Sequence, residues 1–83
     1  MSQHELLRYN ELYVLCWRLM KHGAAGAEKT DNPEKYWHDF RAEGQAIYEK
    51  FMDLDKGNVF NIVNSTVIIT QNAFWHQDQE AAS

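Results

Sequence analysis

Five side chains in this sequence of 83 residues are of types that ligate transition metals: His4, His22, His38, His76 and Cys16. A structural zinc site needs about four such groups converging on one point, usually as two short ligand pairs. Glu34 and His38 stand one helical turn apart, and His76 with Asp78 makes a second short pair, but neither spacing recurs as the matching half of a site. The histidines therefore read as solvated or capping groups, and no metal is expected.

Carboxylates supply the next candidates. Asp39 with Glu43, and Glu49 with Asp53, lie four residues apart and so share a helix face, an arrangement that can hold magnesium in helical hydrolases and also arises on any solvated helix. A metal-dependent helical hydrolase would need Glu34, His38, Asp39, Glu43, Glu49 or Asp53 to meet in one cleft. No nucleophile stands beside a base, so no catalytic roles can be assigned and catalysis is not expected. Asp53-Leu54-Asp55-Lys56-Gly57-Asn58 resembles the opening of a calcium-binding EF-hand loop, but its glycine comes one residue early and Asn64 stands where a bidentate glutamate should close the sphere. Gly23-Ala24-Ala25-Gly26 lacks the following Lys and Ser or Thr of a phosphate loop. No cofactor is expected.

Aromatic side chains are the remaining signal. Trp17, Tyr36, Trp37, Phe40, Phe60, Phe74 and Trp75 are costly to bury completely in so short a chain, and aromatic residues are enriched where proteins meet. Tyr36, Trp37, Phe40, Phe74 and Trp75 are the residues expected to contact a protein partner.

Three elements must position these groups. Ser2 followed by Glu5 is a capping box that starts a first helix near residue 3. On it Leu6, Tyr9, Tyr13, Cys16 and Met20 form one apolar stripe and Leu12, Leu15 and Leu19 another, with Gly23 as the expected stop. The stretch from Leu12 to Met20 carries a single charge and is apolar nearly all round, so it should be covered on more than one side; at about nine residues it is far short of the ~20 that span a bilayer. Residues 23–32 read as a loop. Asn32 then caps and Pro33 opens a second helix to about Leu54, whose Trp37, Phe40, Gly44, Ile47, Phe51 and Leu54 recur at three- and four-residue steps, a seam for another helix in which Gly44 predicts close approach. Val59 to His76 contains no Asp, Glu, Lys or Arg and is rich in Val, Ile and Thr. Helical spacing of Val59, Val63, Val67, Thr70 and Phe74 favours a third helix; the alternative is a β-hairpin turning at Asn64-Ser65, because β-branched residues suit pleated surfaces. Residues 77–83 are polar and are expected to fray.

Composition bounds the rest. With 45% apolar residues the chain is not of a disordered type, and its length makes it one domain, 1–83. A net charge of −4 opposes non-specific attraction to nucleic acid or anionic lipid. One cysteine permits no internal disulfide and the start carries no secretory pattern, so a cytoplasmic location is expected and a membrane role is not.

The expected fold is all-α, a small three-helix domain that forms a homodimer, with two helices plus a C-terminal hairpin as the alternative. The expected function is protein binding, in the manner of a small phage or mobile-element accessory or inhibitor protein that docks an aromatic surface on a larger host protein. A dimeric nucleic-acid-binding regulator is the second reading, for which Arg8, Arg18, Lys21 and His22 offer the nearest basic face, diluted by Glu5 and Glu11.

Overall fold

The computed structural model describes the backbone of residues 1–27 and 31–82, and the side chains of residues 1–26 and 31–74. Three helices, α1 (Gln3–Ala27), α2 (Pro33–Phe51) and α3 (Lys56–Ala82), run up, down and up, each packed on both others, in a rod 49 × 17 × 16 Å. No strand occurs among the described residues, so the hairpin alternative is overturned. None of the described helices is long and apolar enough to cross a membrane.

The helix starts follow from local chemistry. The Glu5 amide donates to Ser2 Oγ at 3.1 Å and the Ser2 nitrogen to Glu5 Oε1 at 3.3 Å, the reciprocal pair of a capping box. The Lys35 amide donates to Asn32 Oδ1 at 3.1 Å, ahead of which Pro33 loses no bond. Asp55 caps α3, accepting the Asn58 amide at 3.0 Å on its side chain and the Val59 amide at 2.9 Å on its carbonyl. The segment that resembles the opening of an EF-hand loop is thus the turn before α3 and its first residues, with Gly57 inside the first turn of the helix. α2 ends at Phe51, three residues before the expected Leu54, and Met52–Asp55 makes the tight connection.

The expected loop 23–32 is also corrected. α1 continues through Gly23 and Gly26 to Ala27, and no described glycine has a positive φ. These glycines serve packing rather than turning. A Cβ on Gly23 would stand 2.7 Å from Thr70 Cγ2 and 2.8 Å from Phe40 Cε2, one on Gly26 would collide with the Tyr36 ring and hydroxyl, and one on Gly44 would stand 2.7 Å from Val67 Cγ2. Where a neighbouring ring or helix occupies the Cβ position, only glycine fits, and the alanines between Gly23 and Gly26 sustain the helix. The expected fraying of residues 77–83 falls outside the residues whose side chains are described.

Two apolar clusters fill the interior. Leu12, Cys16, Phe51, Val59 and Val63 form one, and Leu19, Trp37 and Phe40 the other, with Ile47 and Val67 touching both. Each helix contributes one line at helical period: Leu12, Cys16, Leu19 and Gly23; Trp37, Phe40, Gly44 and Phe51; Val59, Val63, Thr66 and Thr70. The two buried threonines satisfy their hydroxyls within α3, Thr66 Oγ1 donating to the Ile62 carbonyl at 2.9 Å and Thr70 Oγ1 to the Thr66 carbonyl at 2.7 Å. A β-branched, threonine-rich segment can therefore be a buried helix without an orphaned hydroxyl.

Candidate protein-binding face

The residues expected to meet a partner are mostly turned inward. Trp37 has no exposed surface and Phe40 is 2% exposed, so neither is available to another molecule in this fold. Both are core residues on the α2 seam, and Phe40 reaches into the space that Gly23 leaves open. Tyr36, Trp37 and Phe40 stack edge to face, with ring centroids 5.3 and 5.1 Å apart and planes near 80°. Half-buried Tyr36 donates its hydroxyl to the His22 carbonyl at 2.5 Å, and burial, together with the Glu43 charge, pushes its phenol above the usual range. Phe74 is half-buried against the same cluster. The Trp75 side chain lies outside the described residues.

The groups considered for chemistry are dispersed. Arg8 forks onto Asp53, at 3.0 Å from Nη2 to Oδ1, while also donating to the Lys50 carbonyl at 3.1 Å, and its guanidinium stands 5.4 Å from the Phe51 ring centroid. His22 Nδ1 meets Glu43 Oε2 at 3.0 Å, and Glu49 accepts from Gln45 at 3.3 Å. The acidic pairs of α2 are thus split, Glu43 toward α1 at one level and Asp53 toward α1 at another. Glu34, His38 and Asp39 are exposed, as is His4, and His76 lies outside the described side chains. Among the described residues no three His, Cys, Asp or Glu side chains come together as a metal site. Cys16 is buried, which pushes its thiol up and disfavours the reactive thiolate. The basic group on α1 is likewise broken up, since Arg8 and His22 face acids and Lys21 lies 5.6 Å from the Trp17 ring centroid.

What the fold leaves uncovered is apolar and lies elsewhere. On the side of α1 away from its buried line, Leu6, Leu7, Tyr13, Val14 and Trp17 are exposed, all but Val14 at about 60%. α3 adds exposed Ile68 and Ile69. The groove between the two helices is lined by Leu6, Tyr9 and Tyr13 of α1 and by Asn58, Asn61 and Ile62 of α3, without a charged side chain. From Gly57 to Gln77, α3 has no Asp, Glu, Lys or Arg at all. A solvated helix face ordinarily carries charge. The sequence did hold this signal in the nearly all-round apolar α1, but spacing alone could not say which α1 stripe turned inward.

No protein-family model, curated protein or solved structure matches the chain.

Proposed function

We propose that this chain is a protein-binding module whose contact surface is the apolar face of α1 and α3, from Leu6 and Leu7 through Tyr13, Val14 and Trp17, over whose ring Lys21 stands, to Ile68 and Ile69. The carrying observation is the combination of several large exposed apolar side chains on α1 with an adjoining helix that bears no Asp, Glu, Lys or Arg from Gly57 to Gln77. Contiguous apolar surface of this kind costs solubility unless something covers it, and rigid helices presenting an aromatic anchor such as Trp17 are a common way for proteins to be recognised. A protein is the fitting partner because the face offers a single cation, Lys21 beside Trp17, where phosphate backbones need several, and no concentration of carboxylates. This reading moves the contact surface away from the Tyr36, Trp37 and Phe40 cluster.

Tagged chain, incubated with lysate at low and moderate salt, should retain a stoichiometric protein that withstands the higher salt. Trp17→Glu should lose that protein, whereas Glu34→Gln, on the exposed side of α2, should keep it. Retention that ignores Trp17→Glu, or retention of nucleic acid alone that vanishes with salt, would overturn the reading.

A further inference from the structure

We infer that the cleft between α2 and α3, apart from the α1 face, is a binding site for a small aromatic carboxylate, a molecule of one ring and one anionic group.

The register of the two helices builds the cleft. Gly44 has no side chain, so α2 and α3 close to contact there: a Cβ would stand 2.7 Å from Val67 Cγ2 and 3.7 Å from Val63 Cγ1. Arg41 and Tyr48, one turn before and after Gly44 on α2, carry long side chains, and Phe60 and Asn64 rise from α3 opposite. A low floor between tall walls leaves a cleft of about 180 Å³. Sites for drug-sized ligands run to roughly 300–1,000 Å³, so this one admits a single ring rather than two or three. Both of its ends are bridged from helix to helix, by Arg41 with Gln71 and by Tyr48 with Phe60. A partner helix needs a groove that runs on without such bridges, whereas a small molecule fits between them.

The lining sets the chemistry. At one end Tyr48 and Phe60 pack edge to face, with ring centroids 6.0 Å apart and planes at 86°, and Phe60 stays 51% exposed. A ring held in place by a second ring, yet still open, suits a flat apolar body. At the other end Arg41 Nη1 donates to Gln71 Oε1 at 3.1 Å, Gln71 being one of its partners. A planar guanidinium has five donors, and one oriented across a helix pair has the fork that matches a carboxylate. Arg41 is the one charged residue of the described lining, which holds no carboxylate although the chain carries a net charge of −4. The sign of the lining is thus opposite to that of the whole molecule and favours an anion over a cation. Between the ends, half-buried Asn64 makes no side-chain hydrogen bond with the described residues, and its amide can donate to the second carboxylate oxygen.

Titration of the isotope-labelled full chain with sodium benzoate, followed by two-dimensional NMR, should shift the Gly44 backbone amide and the Asn64 side-chain amide together. The Kd should lie below about 3 mM, a strength open to so small a ligand. Benzyl alcohol, which keeps the ring and lacks the charge, should bind about tenfold more weakly. Arg41→Gln should bring benzoate down to the level of benzyl alcohol and leave benzyl alcohol unchanged, whereas Lys35→Gln, which removes an exposed cation from another side of α2, should alter neither. Phe60→Ala should weaken both. Shifts that fall on other residues, or none at all at tens of millimolar benzoate, overturn the site. Equal binding of the two probes by the native chain overturns the anionic ligand, as does benzoate binding that Arg41→Gln leaves unchanged; the first comparison decides alone should that variant misfold. None of these outcomes touches the protein-binding reading, which stands or falls on capture through Trp17.

Discussion

Trp37 has no exposed surface and Trp17 is 58% exposed, although the two side chains have the same chemistry. What separates them is the line each belongs to. Trp37 begins the only apolar seam of α2, whose other sides carry Lys35, Asp39, Arg41 and Glu43, so its direction was readable from spacing. Trp17 lies on a helix with apolar residues on both sides, and there only the positions of α2 and α3 decide which stripe is inside. Trp37→Ala should therefore cost ~3–5 kcal/mol in chemical denaturation, as for other large aromatic-to-alanine truncations in cores. Trp17→Ala in dilute, monomeric protein should cost little. The Arg8 and Asp53 pair makes a second prediction at this scale. The Arg8 guanidinium holds the Asp53 carboxyl below the usual carboxylate range. Protonation is thus easier in the unfolded chain than in the folded one, so this contribution is fully present above the ordinary carboxylate pKa of about 3.9 and is lost as pH falls through the lower folded value. Denaturation midpoints followed below neutrality should show Asp53→Asn with a shallower acid decline than the native chain; an identical decline would mean that this exposed pair contributes nothing measurable.

At the scale of the elements, two of the caps and the α2 seam were legible because each depends on residues within one turn: Ser2 with Glu5, Asn32 with Pro33, and Trp37 through Phe51. The glycines were not. In a sequence Gly23 looks like a helix stop, whereas in the fold it is the place where Phe40 and Thr70 come up against the α1 backbone, a requirement that arises only once three helices are assembled. Gly57 has no such packing requirement: it lies in the first turn of α3, two residues after the Asp55 cap. The two kinds of glycine should respond oppositely to alanine. Gly44→Ala forces a Cβ to 2.7 Å from Val67 Cγ2, on a stiff side chain between two helix backbones, and should destabilise by ~1–3 kcal/mol despite the better helix propensity of alanine. Gly57→Ala meets nothing nearer than Asp55 Oδ1 at 3.6 Å and should stabilise by roughly 0.5 kcal/mol. Thermal unfolding of the two variants beside the native chain checks both signs. The β-branched content of α3 argued for strands only while its partners were unknown; buried against α1 and α2, with its threonines bonded back to their own helix, the same residues fill the interior as a helix.

At the scale of the whole molecule, the balance of surface and interior connects the fold to the proposed function. The accessible surface of 5752 Å² exceeds the roughly 5200 Å² expected of a compact monomer of this mass, because three helices of unequal length make a rod rather than a sphere. A rod this thin has room inside for one line of side chains from each helix, and the second apolar line of α1 is left on its surface. Composition made that excess visible, but not its location, which depends on how the three helices rotate about their axes to set Gly23 against Phe40 and Thr70 and Gly44 against Val67. If a second copy covers the α1 line, folding and pairing are coupled, and stability must depend on how much protein is present. Each tenfold increase in concentration then adds ~1.4 kcal/mol per dimer, about 0.7 per chain, which for a domain of this size corresponds to a rise in Tm of ~3–5 °C. Melting followed by circular dichroism at two concentrations a decade apart reads this directly. A rise in the native chain that Trp17→Glu removes would mean that copies pair through this line, whereas a melting temperature independent of concentration in both would mean that the line is left for a different protein.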